Sequence, residues 1–192
     1  MTEKTFLSSE ELIQESFRLG AKIVESGFRP DFLVAIWRGG VPIGIAVQEC
    51  LHYFGIETDH IAIRTASYSD SNERGNHVQI FGLSYLIDNI NQEDSLLIVD
   101  DVFDTGLTVD AVIKELEIRT RANLPHDLRV AVPWYKPLRN KTDRVPDFYI
   151  HETDDWLVYP HSLEGLEPEE IAEQRPKLHK IVEDAKKAAN SS

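Results

Sequence analysis

The run Leu96-Leu97-Ile98-Val99 passes without a break into two aspartates, Asp100 and Asp101. Four consecutive apolar residues read as a strand buried on both faces, and such strands occur in parallel sheets covered by helices on both sides. After two apolar residues, Val102 and Phe103, the stretch Asp104-Thr105-Gly106-Leu107-Thr108 forms a turn that opens a helical pattern reaching to about residue 121. A buried strand therefore ends in acids beside a tight turn. In sheets of this kind ligands bind beyond the carboxyl ends of the strands.

The rest of the chain supports the same class. Ser8 and Glu11 have capping-box spacing and precede an amphipathic helix whose expected apolar side is Leu12, Ile13, Phe17, Ile23 and Val24. "DFLVAIW" is a strand, "RGG" breaks it, and "VPIGIAVQECLHYFG" is a buried helix ending at Gly55. "DHIAIRTASY" and "VQIFGL" are strands separated by the polar "SDSNERGNH", and "RVAVPWY" and "DFYIHE" are strands after the central helix. A charged helical tail follows residue 167, interrupted before Pro176. Strands alternating with helices predict an α/β fold with a mainly parallel twisted sheet and helices on both faces. The length of 192 residues is most simply one domain, spanning residues 1–192.

Charge narrows the function. A net charge of -13, with no basic stripe, opposes binding to nucleic acid or an anionic membrane surface. The one basic cluster, "RNKTDR", reads as an exposed loop. No apolar run approaches the ~20 residues of a membrane span, and the polar start is not expected to be a signal peptide. The single cysteine, Cys50, lies in an apolar run, which fits a buried thiol and a reducing cytoplasm. The histidines show no zinc spacing; His151 and His161 read as exposed loop residues.

The opening stretch suits a phosphate. Gly106 permits a tight turn, and successive amides with the Thr105 and Thr108 hydroxyls can surround an anion at a helix N-terminus. The Gly-Lys-Ser/Thr element of a P-loop is missing. Asp100 and Asp101, on opposite faces if the backbone stays extended, can reach hydroxyls or a hard cation such as Mg²⁺. The same residues also fit a strand-end acid with helix capping by Asp104 or Thr105.

The full "LLIVDDVFDTGLT" resembles the phosphoribosyl pyrophosphate signature of the type I phosphoribosyltransferases. The resemblance spans roughly residues 32–166 and implies the type I fold, with a small base-recognition hood and C-terminal helices. It implies that Asp100 and Asp101 face ribose hydroxyls and Mg²⁺, and that Asp104, Thr105, Gly106, Leu107 and Thr108 hold the 5′-phosphate. "AIWRGGVP" is similar to the pyrophosphate loop, placing Trp37, Arg38, Gly39 and Gly40 on pyrophosphate, with a cis bond at Trp37-Arg38 as in purine members. "RTASYSDSNERGNH" is similar to the mobile hood, about residues 65–80, in which Tyr68 shields the reacting centre.

The segment at about residues 134–166 resembles the base-recognition end of the 6-oxopurine subgroup. There Lys136 would donate to the purine 6-oxygen, Trp156 would stack on the base, and the Leu157 backbone would meet its edge. Ser162 departs from the resemblance, standing where the purine enzymes carry an acid. The implied activity is transfer of phosphoribose to N9 of hypoxanthine, guanine or xanthine in purine salvage, releasing pyrophosphate. Asp104 would serve as the proton-handling group. The resemblance also implies a cytoplasmic homodimer or homotetramer whose partners are small molecules. The alternatives are the same fold acting on another base, or a non-catalytic sensor of phosphoribosyl pyrophosphate.

Overall fold

The structure, a computed structural model, describes residues 4–68 and 77–190. These fall into two compact units, Glu10–Asp154 and, separately, Met1–Ser9 with Asp155–Ser192.

In chain order the elements are β1 (Lys4–Phe6), α1 (Ser9–Glu25), β2 (Phe32–Trp37), α2 (Gly40–Tyr53), β3 (Asp59–Tyr68), β4 (His77–Phe81) and α3 (Ser84–Asn89). They continue with β5 (Ser95–Val99), β6 (Val102–Phe103), α4 (Leu107–Thr120), β7 (Asp127–Tyr135), β8 (Phe148–Glu152), β9 (Trp156–Val158), α5 (Pro168–Gln174) and α6 (Pro176–Asn190).

The larger unit holds a seven-stranded sheet in the order β4-β3-β2-β5-β7, with β6 and β8 on the two edges of β7. Every pairing in it is parallel except β3 with the edge strand β4. The expected mainly parallel α/β architecture is borne out. Side-chain alternation along the central strands explains why helices cover both faces. Val34, Ile36, Leu96 and Ile98 point into one core with Leu86 of α3 and Val112 and Leu116 of α4. On the other face α2 lies so close that a Cβ on Gly44 would come within 2.7 Å of the Ala35 Cβ. Leu96, Leu97, Ile98 and Val99 are all fully buried, as the apolar run requires.

Helix α1 departs from expectation. Leu12 and Ile23 are buried, but Ile13 and Phe17 are 45% and 44% exposed. The buried stripe runs instead through Leu12, Glu15, Ser16, Leu19, Gly20 and Ile23. Gly20 sets this rotation, because a Cβ there would meet the Cys50 Cβ at 2.6 Å. The polar members are satisfied locally: the Ser16 hydroxyl donates to the Leu12 carbonyl at 2.6 Å, and Glu15 accepts from Arg18 and pairs with His151. His151 is therefore no loop residue. It sits in β8 and stacks on Trp134 with ring centroids 5.9 Å apart.

The expected hood of residues 65–80 is shorter as a loop, since β3 and β4 pair antiparallel as far as Tyr68 and His77. Residues 69–76 lie outside the described residues, as does the side chain of Tyr68. Strands β1, β6 and β9 and helix α3 escape the sequence patterns because each is only two to six residues long.

In the smaller unit β1 pairs parallel with β9, Thr5 opposite Leu157. Helices α5 and α6 follow, broken at Pro176 as expected. Among the described residues no helix is long and apolar enough to cross a membrane.

Candidate active site

β5 and β6 lie along one edge of β7 in unbroken register, Val99 opposite Ala131 and Val102 opposite Trp134. Between them the chain bends at the acid pair, and the Asp100 amide still donates to the Ala131 carbonyl at 3.2 Å. Because the backbone does not stay extended there, Asp100 and Asp101 do not point to opposite faces. The Asp101 amide donates to Asp100 Oδ1 at 2.9 Å. Both crowd the turn after β2: a Cβ on Gly39 would fall 2.0 Å from Asp101 Oδ2, and one on Gly40 would fall 3.1 Å from Asp100 Oδ1. Two glycines in succession let the two loops touch. The peptide Trp37-Arg38, which enters this turn, is cis.

Burial and then the neighbouring Asp101 charge push the Asp100 carboxyl well above the usual carboxylate range. Burial also raises Asp101, partly offset by hydrogen bonds and by the Lys136 ammonium. Two hard oxygen donors that repel each other fit a divalent cation, which would relieve the repulsion. Among the described residues no group of three or more His, Cys, Asp or Glu could hold a metal. Mg²⁺ takes one or two carboxylates from a protein, with substrate oxygens and water completing its shell.

The raised Asp100 pKa yields a stability prediction. Its ionised form is disfavoured in the fold, so Asp100 costs stability as the pH rises through its folded-state pKa, and the cost vanishes on acidification. Asp100→Asn is expected to stabilise the metal-free protein by ~1 kcal/mol at neutral pH and by less at mildly acid pH. Urea unfolding of both proteins at the two pH values checks this, and a gain that grows on acidification would contradict it.

The phosphate-loop sequence folds as expected into a turn at a helix start. Gly106 has φ of 76° and precedes the first residue of α4. A Cβ there would meet the Phe103 ring and the Thr142 hydroxyl, each at 2.7 Å. The Thr105 hydroxyl accepts from the Leu107 amide at 3.4 Å. A cavity of about 200 Å³ opens beside this turn, lined by Asp100, Asp101, Asp104, Thr105, Gly106 and Thr108 among others. These six residues thus share one cavity.

Lys136 is buried at the end of β7, its amide donating to the Phe103 carbonyl at 2.9 Å and its ammonium 3.7 Å from Asp104 Oδ2. Asp104 also accepts from Arg139 Nε at 2.6 Å through its other oxygen. Residues 139–144 are largely the exposed loop that was expected, yet Arg139 also pairs with Asp104. Arg139 reaches the site because one 3-10 turn, Pro137–Arg139, returns position 139 to the side of position 136. Lys141 adds a backbone clasp, its amide donating to the Thr105 carbonyl at 3.0 Å. Trp156 and Leu157 lie in β9 of the other unit, Trp156 being 48% exposed and Leu157 buried.

A sequence profile of the phosphoribosyl transferase domain family matches residues 3–164. The chain belongs to that family. It is a phosphoribosyltransferase, an enzyme of the glycosyltransferase type. Among solved structures, the purine phosphoribosyltransferase of Pyrococcus horikoshii Ot3 is similar at 25% identity with a TM-score of 0.68, covering 86% of this chain and 98% of that one. A Neisseria gonorrhoeae protein solved with bound ppGpp is 22% identical with a TM-score of 0.69, covering 85% of this phosphoribosyltransferase and 92% of its own chain. A hypoxanthine phosphoribosyltransferase of Staphylococcus aureus is 20% identical with a TM-score of 0.61, covering 83% and 85% respectively. Among curated proteins none matches in sequence.

Proposed function

We propose that this phosphoribosyltransferase transfers the 5-phosphoribosyl group of phosphoribosyl pyrophosphate to N9 of a 6-oxopurine, releasing pyrophosphate, in purine salvage. The observation that carries the reading is the convergence on Asp104. A buried ammonium and a guanidinium flank a carboxylate that opens the phosphate turn, so sugar phosphate and base would be held a few residues apart. The likeness to the Pyrococcus purine enzyme supports the choice of a purine.

In this reading the amides and hydroxyls of residues 105–108 hold the 5′-phosphate at the start of α4. Arg38 and the Gly39-Gly40 turn bind the pyrophosphate end, where the glycines admit close approach to oxygens. Asp100 and Asp101 would hold Mg²⁺, which supplies charge neutralisation for the departing pyrophosphate. Asp104 accepts or donates a proton at N7 of the base, Tyr68 covers the reacting centre, and Lys136 donates to the 6-oxygen. Trp156 and the Leu157 backbone form the stacking and edge contacts with the base. A homodimer or homotetramer in the cytoplasm belongs to the same proposal.

Incubating the protein with phosphoribosyl pyrophosphate, Mg²⁺ and, separately, hypoxanthine, guanine, xanthine, adenine, uracil and orotate tests the reading. Nucleotide from the 6-oxopurines is expected, and product from uracil or orotate alone would overturn it. Lys136→Met keeps volume and removes the donor. It should raise the Michaelis constant for a 6-oxopurine ~10-fold or more. A selective effect on phosphoribosyl pyrophosphate instead would place Lys136 elsewhere.

A further inference from the structure

The family profile ends at residue 164, so helices α5 and α6 are additions to it. The additions grip the strand that carries Trp156. Lys4, on β1, spends its donors on both Glu170 oxygens, at 2.7 and 2.8 Å, and on the Gly165 carbonyl at 3.0 Å. An ammonium has only three donors, so its place is fixed. It stands 5.7 Å from the centroid of the Trp156 ring, an attractive position for a cation. Gly165 closes on the same ring: with φ of 72°, a Cβ there would lie 2.9 Å from Trp156 Cζ2. Glu170 is itself held, since its carboxylate caps α5 by accepting from the Glu167 amide at 2.9 Å.

The second grip is Arg175, which ends α5. Its guanidinium lies over the Phe6 ring at 5.7 Å and donates to the carbonyls of Ser162, at 2.9 Å, and Val158, at 3.1 Å. A planar fork that spans two carbonyls four residues apart fixes the turn after β9 as well as the strand.

We propose that α5 is a positioning element for base recognition, in which Glu170, through Lys4, sets the Trp156 indole and Arg175 sets the backbone that follows it. The proposal rests on the purine reading above. These residues touch no substrate; they act through Trp156 and the β9 backbone. The chain outside the family's own span would thus tune affinity for the base while leaving the phosphoribosyl half untouched.

Glu170→Gln and Arg175→Lys in the full chain test this, the latter keeping charge and length but losing the fork. Each is expected to raise the Michaelis constant for the purine ~5–10-fold, with turnover and the constant for phosphoribosyl pyrophosphate within ~2-fold. In a Trp37→Phe/Trp134→Phe background, where Trp156 is the remaining indole, Glu170→Gln should also increase acrylamide quenching. Quenching and purine affinity both unchanged would overturn the proposal. So would equal losses in turnover and in both Michaelis constants, which mark general destabilisation. A wild-type enzyme inert toward every purine is a distinct result: it would remove the reading of the site, and the role of α5 in base binding with it.

Discussion

Asp104→Asn is expected to lower kcat ~10²–10³-fold while changing either Michaelis constant by less than ~3-fold. Asparagine has almost the same shape and can keep an oxygen toward Arg139 Nε, 2.6 Å away in the wild type. What it loses is the carboxylate that, in the proposed reading, exchanges a proton with the base. It also removes the salt-bridge partner of the Lys136 ammonium, 3.7 Å from the second oxygen. Steady-state kinetics with both substrates varied separate the outcomes. A variant with normal kcat and weakened phosphate binding would make Asp104 a member of the phosphate turn only.

Gly39→Ala should be nearly as damaging, for a steric reason. The added methyl would sit 2.0 Å from Asp101 Oδ2 and 2.3 Å from its Cγ, so either the carboxylate or the turn must move. Gly39 has φ of -64°, a conformation alanine adopts freely, so the backbone itself is not strained. The cost falls on the relation between the two loops. A displacement of about an ångström in a positioned group lowers rates by ~10²-fold, and kcat/KM for phosphoribosyl pyrophosphate should fall by that order. Thermal unfolding should change little, because both loops are at the sheet's end. A fully active Gly39→Ala would show that Asp101 is not needed where it stands.

The parallel sheet was legible because its central strands are continuous apolar runs, and the fully buried Leu96 to Val99 left no other reading. Helix α1 was legible in length and not in rotation. Its buried stripe contains Glu15 and Ser16, which a hydrophobic pattern cannot choose, and Gly20 decides the packing by what it lacks. The turn at residues 104–108 was legible as a turn because Gly106 stands just before a helical pattern, while its reading as a phosphate site came from the resemblance carried by all thirteen residues. Arg139 was not, since its pairing with Asp104 depends on a 3-10 turn after β7. Nor was the contact of α5 with β1, which joins Lys4 to Glu170 across 166 positions.

The central claim is that the turn at residues 104–108 holds a sugar phosphate with Asp104 against the base. A crystal structure of the protein soaked with inosine monophosphate tests it most directly. The phosphoryl group should occupy the turn among the Thr105 to Thr108 amides, with N7 of the base beside Asp104. A nucleotide whose phosphoryl group lay elsewhere, with this turn vacant, would contradict the account.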